Sequence, residues 1–198
     1  MENAYTAADS AKNNFLEDVY GVLFAPKEAY ERLLQNLPIL EALGIVVFVS
    51  LLKPLTNVSF VGQHITAGFI FSLFGAAISG IIKWVFFATF IEFVASVFRK
   101  GGRLKAFLTL TGFALLPWVF IGPVELLKSG GMLFSLIGVL FGIVIWAWTT
   151  VLTVFAAMKA YDITSGRILV LFSLPFLGGI IFINWIIGFF TTLAGILK

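Results

Sequence analysis

The chain alternates between long charge-free stretches and short polar joints. Pro54–Ile82, Ala106–Val124, Ser129–Met158 and Ile168–Leu197 contain no Asp, Glu, Lys or Arg. A bilayer's hydrocarbon core is about 30 Å thick and a helix rises about 1.5 Å per residue, so a run of roughly 18 such residues reads as a transmembrane helix. The pattern predicts five spans. The first covers Pro38–Leu55, with Glu41 just inside it. The second covers Thr66–Phe98 and carries Lys83 and Glu92. At about 50 Å it is too long to cross upright, so it must tilt, protrude or break, with Gly75 and Gly80 as the candidate break points. The third covers Ala106–Leu127, where Pro117 and Pro123 are expected to kink it. The fourth is Met132–Met158. The fifth is Ile168–Leu197, with Pro175 near its start and a Gly178-Gly179 pair.

Ahead of the first span the pattern changes. Residues 1–14 are polar and small, and read as a flexible tail. Phe15, Leu16, Val19, Tyr20, Leu23 and Phe24 then recur at helical spacing. Pro26 suits the first turn of a second helix, because its missing N–H costs nothing there. Behind it Ala29, Tyr30, Leu33 and Leu34 form an apolar face opposite Lys27, Glu28, Glu31, Arg32 and Gln35. Residues 15–36 are too short and too polar to span. They read as an amphipathic cytoplasmic segment that lies at the interface or caps the bundle. The expected fold is therefore all-α and polytopic: a tail (1–14), an interfacial amphipathic segment (15–36) and a five-helix transmembrane domain (37–198).

Composition agrees with a membrane solvent. Of 198 residues 60% are hydrophobic, 23 are Phe, and only 12% are charged, more apolar surface than a soluble domain of this size could cover. The distribution of Lys and Arg sets the expected orientation. With the N-terminus inside, the cytoplasmic segments hold nine (Lys12, Lys27, Arg32, Arg99, Lys100, Arg103, Lys105, Lys159, Arg167) against three outside (Lys53, Lys128, Lys198). This places the N-terminus in the cytoplasm and the C-terminus outside. The net charge of +3 forms no groove-sized basic field, so nucleic acid is not an expected partner. The absence of cysteine excludes disulfides, thiolate metal sites and lipidation on sulfur. Met1-Glu2-Asn3 is no myristoylation start, and it lacks the basic region of a signal peptide.

No catalytic, cofactor-binding or metal-binding motif stands out, and the protein is expected not to be an enzyme. His64 is alone in a loop with no partner at ligand spacing. The notable groups are ionisable or polar side chains at membrane depth: Glu41, Lys83, Glu92, Glu125 and Asn184. A charge there costs on the order of 3 kcal/mol or more, so each needs a partner, a proton or a route to the interface. Lys83 and Glu92 are nine residues apart and face opposite sides of one helix. Two polar layers are expected, Lys83 with Glu125 or Asn184 in the outer half, and Glu92 with Glu41 or the basic loop in the inner half. The simpler solution is that Lys83 snorkels and Glu92 is protonated or reaches the Arg99 end. Ser72, Ala76 and Gly80 make a small-residue ridge, and Gly138 with Gly142 makes a GxxxG pair; either serves packing within the bundle or between copies. The basic turn Arg99, Lys100, Arg103, Lys105 is a topology determinant that also suits anionic lipid or an acidic partner.

Several features, in order, resemble the YIP-one domain family of Ypt/Rab-interacting membrane proteins. Phe24-Ala25-Pro26 is followed by Tyr30 ahead of the first span. Lys100-Gly101-Gly102 follows the second. Gly112 and Leu115-Leu116-Pro117 lie in the third. Thr164-Ser165-Gly166-Arg167 precedes Leu174-Pro175. The resemblance covers Phe15 to Trp185 and is closest to short prokaryotic members. It implies five helices, a cytosolic N-terminus and an outside C-terminus; no cofactor is expected. Eukaryotic members bind other membrane proteins and prenylated GTPases at the endoplasmic reticulum and Golgi. Here the long cytosolic tail is missing, Asp18-Val19-Tyr20-Gly21 only partly echoes the family's acidic motif, and Thr111-Gly112-Phe113 stands where Tyr-Gly-Tyr is usual, which argues against a small GTPase partner. The expected role is an inner-membrane scaffold or adaptor working through self-association or other membrane proteins. The alternative is a small-solute or ion transporter with Lys83, Glu92, Glu125 and Asn184 along its path.

Overall fold

The computed structural model describes residues 15–56, 67–97, 100–128, 130–163 and residue 173. The expected tail (1–14), His64, Arg99, the 164–167 turn and the fifth span with Pro175, Gly178-Gly179 and Asn184 lie outside the described residues. All described elements are helical. They are α1 (15–24), α2 (Pro26–Asn36), α3 (Ile39–Thr56), α4 (Ala67–Val97), α5 (Leu104–Ala114), a 3-10 turn (Leu116–Phe120), α6 (Ile121–Lys128) and α7 (Met132–Tyr161). Among the described residues four segments are long and apolar enough to cross a bilayer: α3, α4, the α5–α6 run Leu104–Lys128, and α7. Their ends lie within a few residues of those expected from the charge-free runs.

Local chemistry explains the breaks. Pro26 opens α2 at its first turn. Leu37 closes α2 in the left-handed region (φ 46°), with its amide on the Leu33 carbonyl at 2.8 Å. Pro38 follows at once and forbids further helix. The third span is broken rather than bent: α5 ends at Ala114, and Pro117 enters as part of the 3-10 turn. The second expected kink is absent. Pro123 is the third residue of α6, where its missing N–H has no helical acceptor to lose. Nor does α4 break at Gly75 or Gly80; it runs unbroken for 31 residues. Gly80 serves a different purpose, because a Cβ there would overlap the Ser50 side chain of α3.

The α5–α6 run is the axis of the bundle: 67% of its most apolar window is buried, against 6% for α4. Phe107, Leu110, Phe113 and Ala114 are fully buried, packed with Ala42, Val46, Ala88, Ile91, Leu152 and Ala156 from α3, α4 and α7. Among the described residues this core fills the half of the bundle nearest the α4–α5 loop. The rest of α4 and the first half of α7 present Phe71, Phe74, Phe86, Leu133, Leu140 and Trp146 outward, a surface suited to lipid.

Gly112 sets how near α3 and α5 approach. A Cβ there would stand 2.6 Å from the Ala42 Cβ and 3.0 Å from its Cα and carbonyl oxygen. Backbone cannot give way as a flexible side chain can, so Gly112→Ala is expected to lower stability by about 1–3 kcal/mol. Gly142 has nothing near it, and Gly142→Ala should be neutral or mildly stabilising. Thermal unfolding of both variants in detergent micelles checks the pair; equal losses would show that the close approach is not what Gly112 provides.

Candidate functional site

The loop between α4 and α5 is built around one carboxylate. Glu92 stands five residues before the end of α4. Its Oε1 accepts hydrogen bonds from the backbone amides of Gly102 and of Arg103, the latter at 3.2 Å. Its Oε2 accepts from the Tyr161 hydroxyl at 2.8 Å, at the far end of α7. Two glycines let the backbone come this close. A Cβ on Gly101 would stand 2.8 Å from the Ser96 Cβ, and Gly102 adopts φ +92°, a conformation costly for any other residue. The loop cations then turn to α7. The Arg103 guanidinium donates to the Ala160 carbonyl (3.2 Å) and the Lys100 ammonium to the Asp162 carbonyl (3.3 Å). Both cap the negative end of the helix dipole.

The amphipathic pair α1–α2 docks on the same end. Ala29, Tyr30 and Leu33 are buried, and the Tyr30 hydroxyl donates to the Leu152 carbonyl of α7 at 3.2 Å. Leu152 lies nine residues before Tyr161, about 13 Å down the helix, so α2 is sunk between helix ends. Burial pushes the Tyr30 phenol well above its ordinary value and keeps it a neutral donor. Glu31 pairs with Lys159 of α7, and the Lys27 ammonium lies 5.8 Å from the centroid of the Phe155 ring. Arg32 ties α2 back to α1 through Glu17 (3.3 Å) and Asp18 (3.6 Å). Burial raises the Asp18 carboxyl above its usual range, against the pull of Arg32.

The structure brings Glu92 to the basic loop through backbone amides, together with Tyr161; Glu41 is not among its partners and stands exposed in the first turn of α3. Lys83 is not paired with Glu125. Lys128, three residues further along α6, takes that carboxylate at 2.8 Å, a one-turn contact that a separate helix cannot easily outcompete. Lys105 is exposed. Of the small residues, Ala76 and Gly80 line a cavity beside α3, and Ser72 bonds back to the Phe69 carbonyl. Gly138 packs against Lys128 and the Val124 carbonyl, whereas Gly142 meets open space. Phe24 is exposed and lies 4.7 Å from the Tyr20 ring, centroid to centroid. Tyr161 and the buried Trp84–Thr111 hydrogen bond (3.1 Å) were not singled out by sequence. An aromatic at the polar end of a long apolar run was the available signal for Tyr161.

These elements define a polytopic α-helical membrane protein with an amphipathic helical pair packed on one end. Residues 20–187 match the Yip1 domain family model, and the chain belongs to that family. No curated protein and no solved structure matches it.

Removing the shared acceptor should loosen the loop. Glu92→Ala is expected to cost about 2 kcal/mol and Tyr161→Phe about 1 kcal/mol. The double variant should cost less than the sum, because both act on one network. Amide hydrogen exchange at Gly102 and Arg103 reads the effect directly; unchanged exchange in Glu92→Ala would refute the latch.

Proposed function

We propose that the chain is a non-enzymatic membrane scaffold or adaptor. It crosses a prokaryotic inner membrane five times, with residues 168–197 as the fifth span, the N-terminus in the cytoplasm and the C-terminus outside. Lipid, further copies of the chain and other membrane proteins are its partners; nucleic acid is not, and a small GTPase is disfavoured by the sequence departures. The observation that carries this reading is the platform at the α4–α5 loop end. Tyr30, Glu31, Lys100, Arg103 and Glu92 fasten α1–α2 and the loop to the same end of α7. A rigid face of mixed charge, with Lys105 turned outward, suits docking more than chemistry. In the five-span arrangement this end carries nine of the Lys and Arg residues against three at the other, which favours the cytoplasmic side. The transport alternative draws no support, since Glu92 and Glu125 are each engaged by residues other than Lys83.

Because the chain has no cysteine, Ser10→Cys and Lys198→Cys report topology cleanly. A membrane-impermeant maleimide should label Lys198→Cys on intact cells and Ser10→Cys only after permeabilisation. Labelling of both from one side would remove the five-span arrangement. For the adaptor role, in-cell crosslinking from the platform should capture a defined membrane protein or a second copy, and Lys105→Glu should reduce that capture severalfold. A chain that stays monomeric and crosslinks to nothing would overturn the role.

A further inference from the structure

A cavity of about 530 Å³ lies between α3, α4 and the α5–α6 run. Its wall is mostly apolar, with Val49, Phe87, Leu115 and Trp118, and its polar groups include two ammonium side chains, Lys53 and Lys83. Lys53 is in the last turn of α3, near the rim. Lys83 is deeper, three residues past the point where Gly80 meets Ser50. Among the described residues neither ammonium makes an ion pair or hydrogen bond.

Among the described residues no carboxylate is paired with either lysine. Glu17 and Asp18 face Arg32, Glu31 faces Lys159, Glu92 holds the loop, and Glu125 holds Lys128. Glu28, Glu41 and Asp162 belong to the opposite end of the bundle. Residues 57–66 and 164–198 contain no Asp or Glu. Lys83 stands at membrane depth beside an apolar wall, and no described carboxylate pairs with it or with Lys53, so a bound anion would complete the site. It must also carry hydrocarbon to fill the wall. A single acyl chain with its carboxylate matches a mostly apolar wall that carries two ammonium groups.

We propose that this cavity binds a long-chain fatty acid, its carboxylate between Lys53 and Lys83 and its chain against Phe87, Leu115 and Trp118. Trp84 and Trp118 line the site, so a doxyl-labelled stearate should quench tryptophan fluorescence of the full chain in an uncharged detergent, saturating at one molecule per chain. Palmitate should displace it, and methyl palmitate, the same chain without the charge, should not. Lys53→Gln with Lys83→Gln should weaken binding roughly tenfold or more, as expected for losing charge-assisted contacts, without lowering the unfolding temperature. Ala76→Phe fills the cavity and should abolish saturable quenching with both lysines in place, so the test survives if the lysine variant folds poorly. Equal displacement by methyl palmitate, displacement by phosphatidylglycerol alone, or no saturable quenching, as when residues 164–198 occupy the space, would each overturn the proposal.

Discussion

Glu92 lets one anion satisfy three parts of the chain at once. Backbone amides at the start of a helix have no acceptor within the helix and must find one elsewhere. The carboxylate takes two such amides from the turn into α5, and the Tyr161 hydroxyl brings α7 to the same point. With that point fixed, Arg103 and Lys100 reach the terminal carbonyls of α7. The end of α7 in turn gives α2 its seat, through the Leu152 carbonyl and Lys159. Each contact is modest alone. Their common dependence on one side chain makes the platform a unit.

The bundle beneath it is organised by small residues rather than by apolarity, since lipid is as apolar as any side chain. Gly112 against Ala42 and Gly80 against Ser50 draw α5 and α4 onto α3. The broken third span threads between them as the most buried segment. Its 3-10 turn at Leu116–Phe120 rises about 2.0 Å per residue against about 1.5 Å in an α-helix, and takes in Pro117 where a regular helix would have had to accommodate it.

The sequence conveys the length and limits of each apolar helix well, because bilayer thickness is a one-dimensional constraint that charge-free runs report directly. Positive charge adds a sidedness, and Pro26 and Pro38 mark the ends of α2 without help from tertiary contacts. What it conveys poorly is which residues meet. Glu92 and Tyr161 are 69 positions apart, and no local rule joins them. Lys83 and Glu125 look complementary until Lys128, one turn from Glu125, is weighed. Glycine is ambiguous in the same way: Gly80 reads equally as a break or a contact, and only a neighbouring helix decides which.

The α4–α5 turn also carries less free charge than its composition suggests. Arg99 aside, it holds three cations, and two of them, Lys100 and Arg103, are already oriented onto carbonyl oxygens of α7. Those carbonyls are partial charges, so the cations keep a field, but they are not free to follow a passing phosphate. Among the described residues, attraction of this turn to acidic headgroups therefore rests mainly on Lys105. Raising ionic strength should erode such attraction far less steeply than a fully mobile tetrad of basic side chains would require.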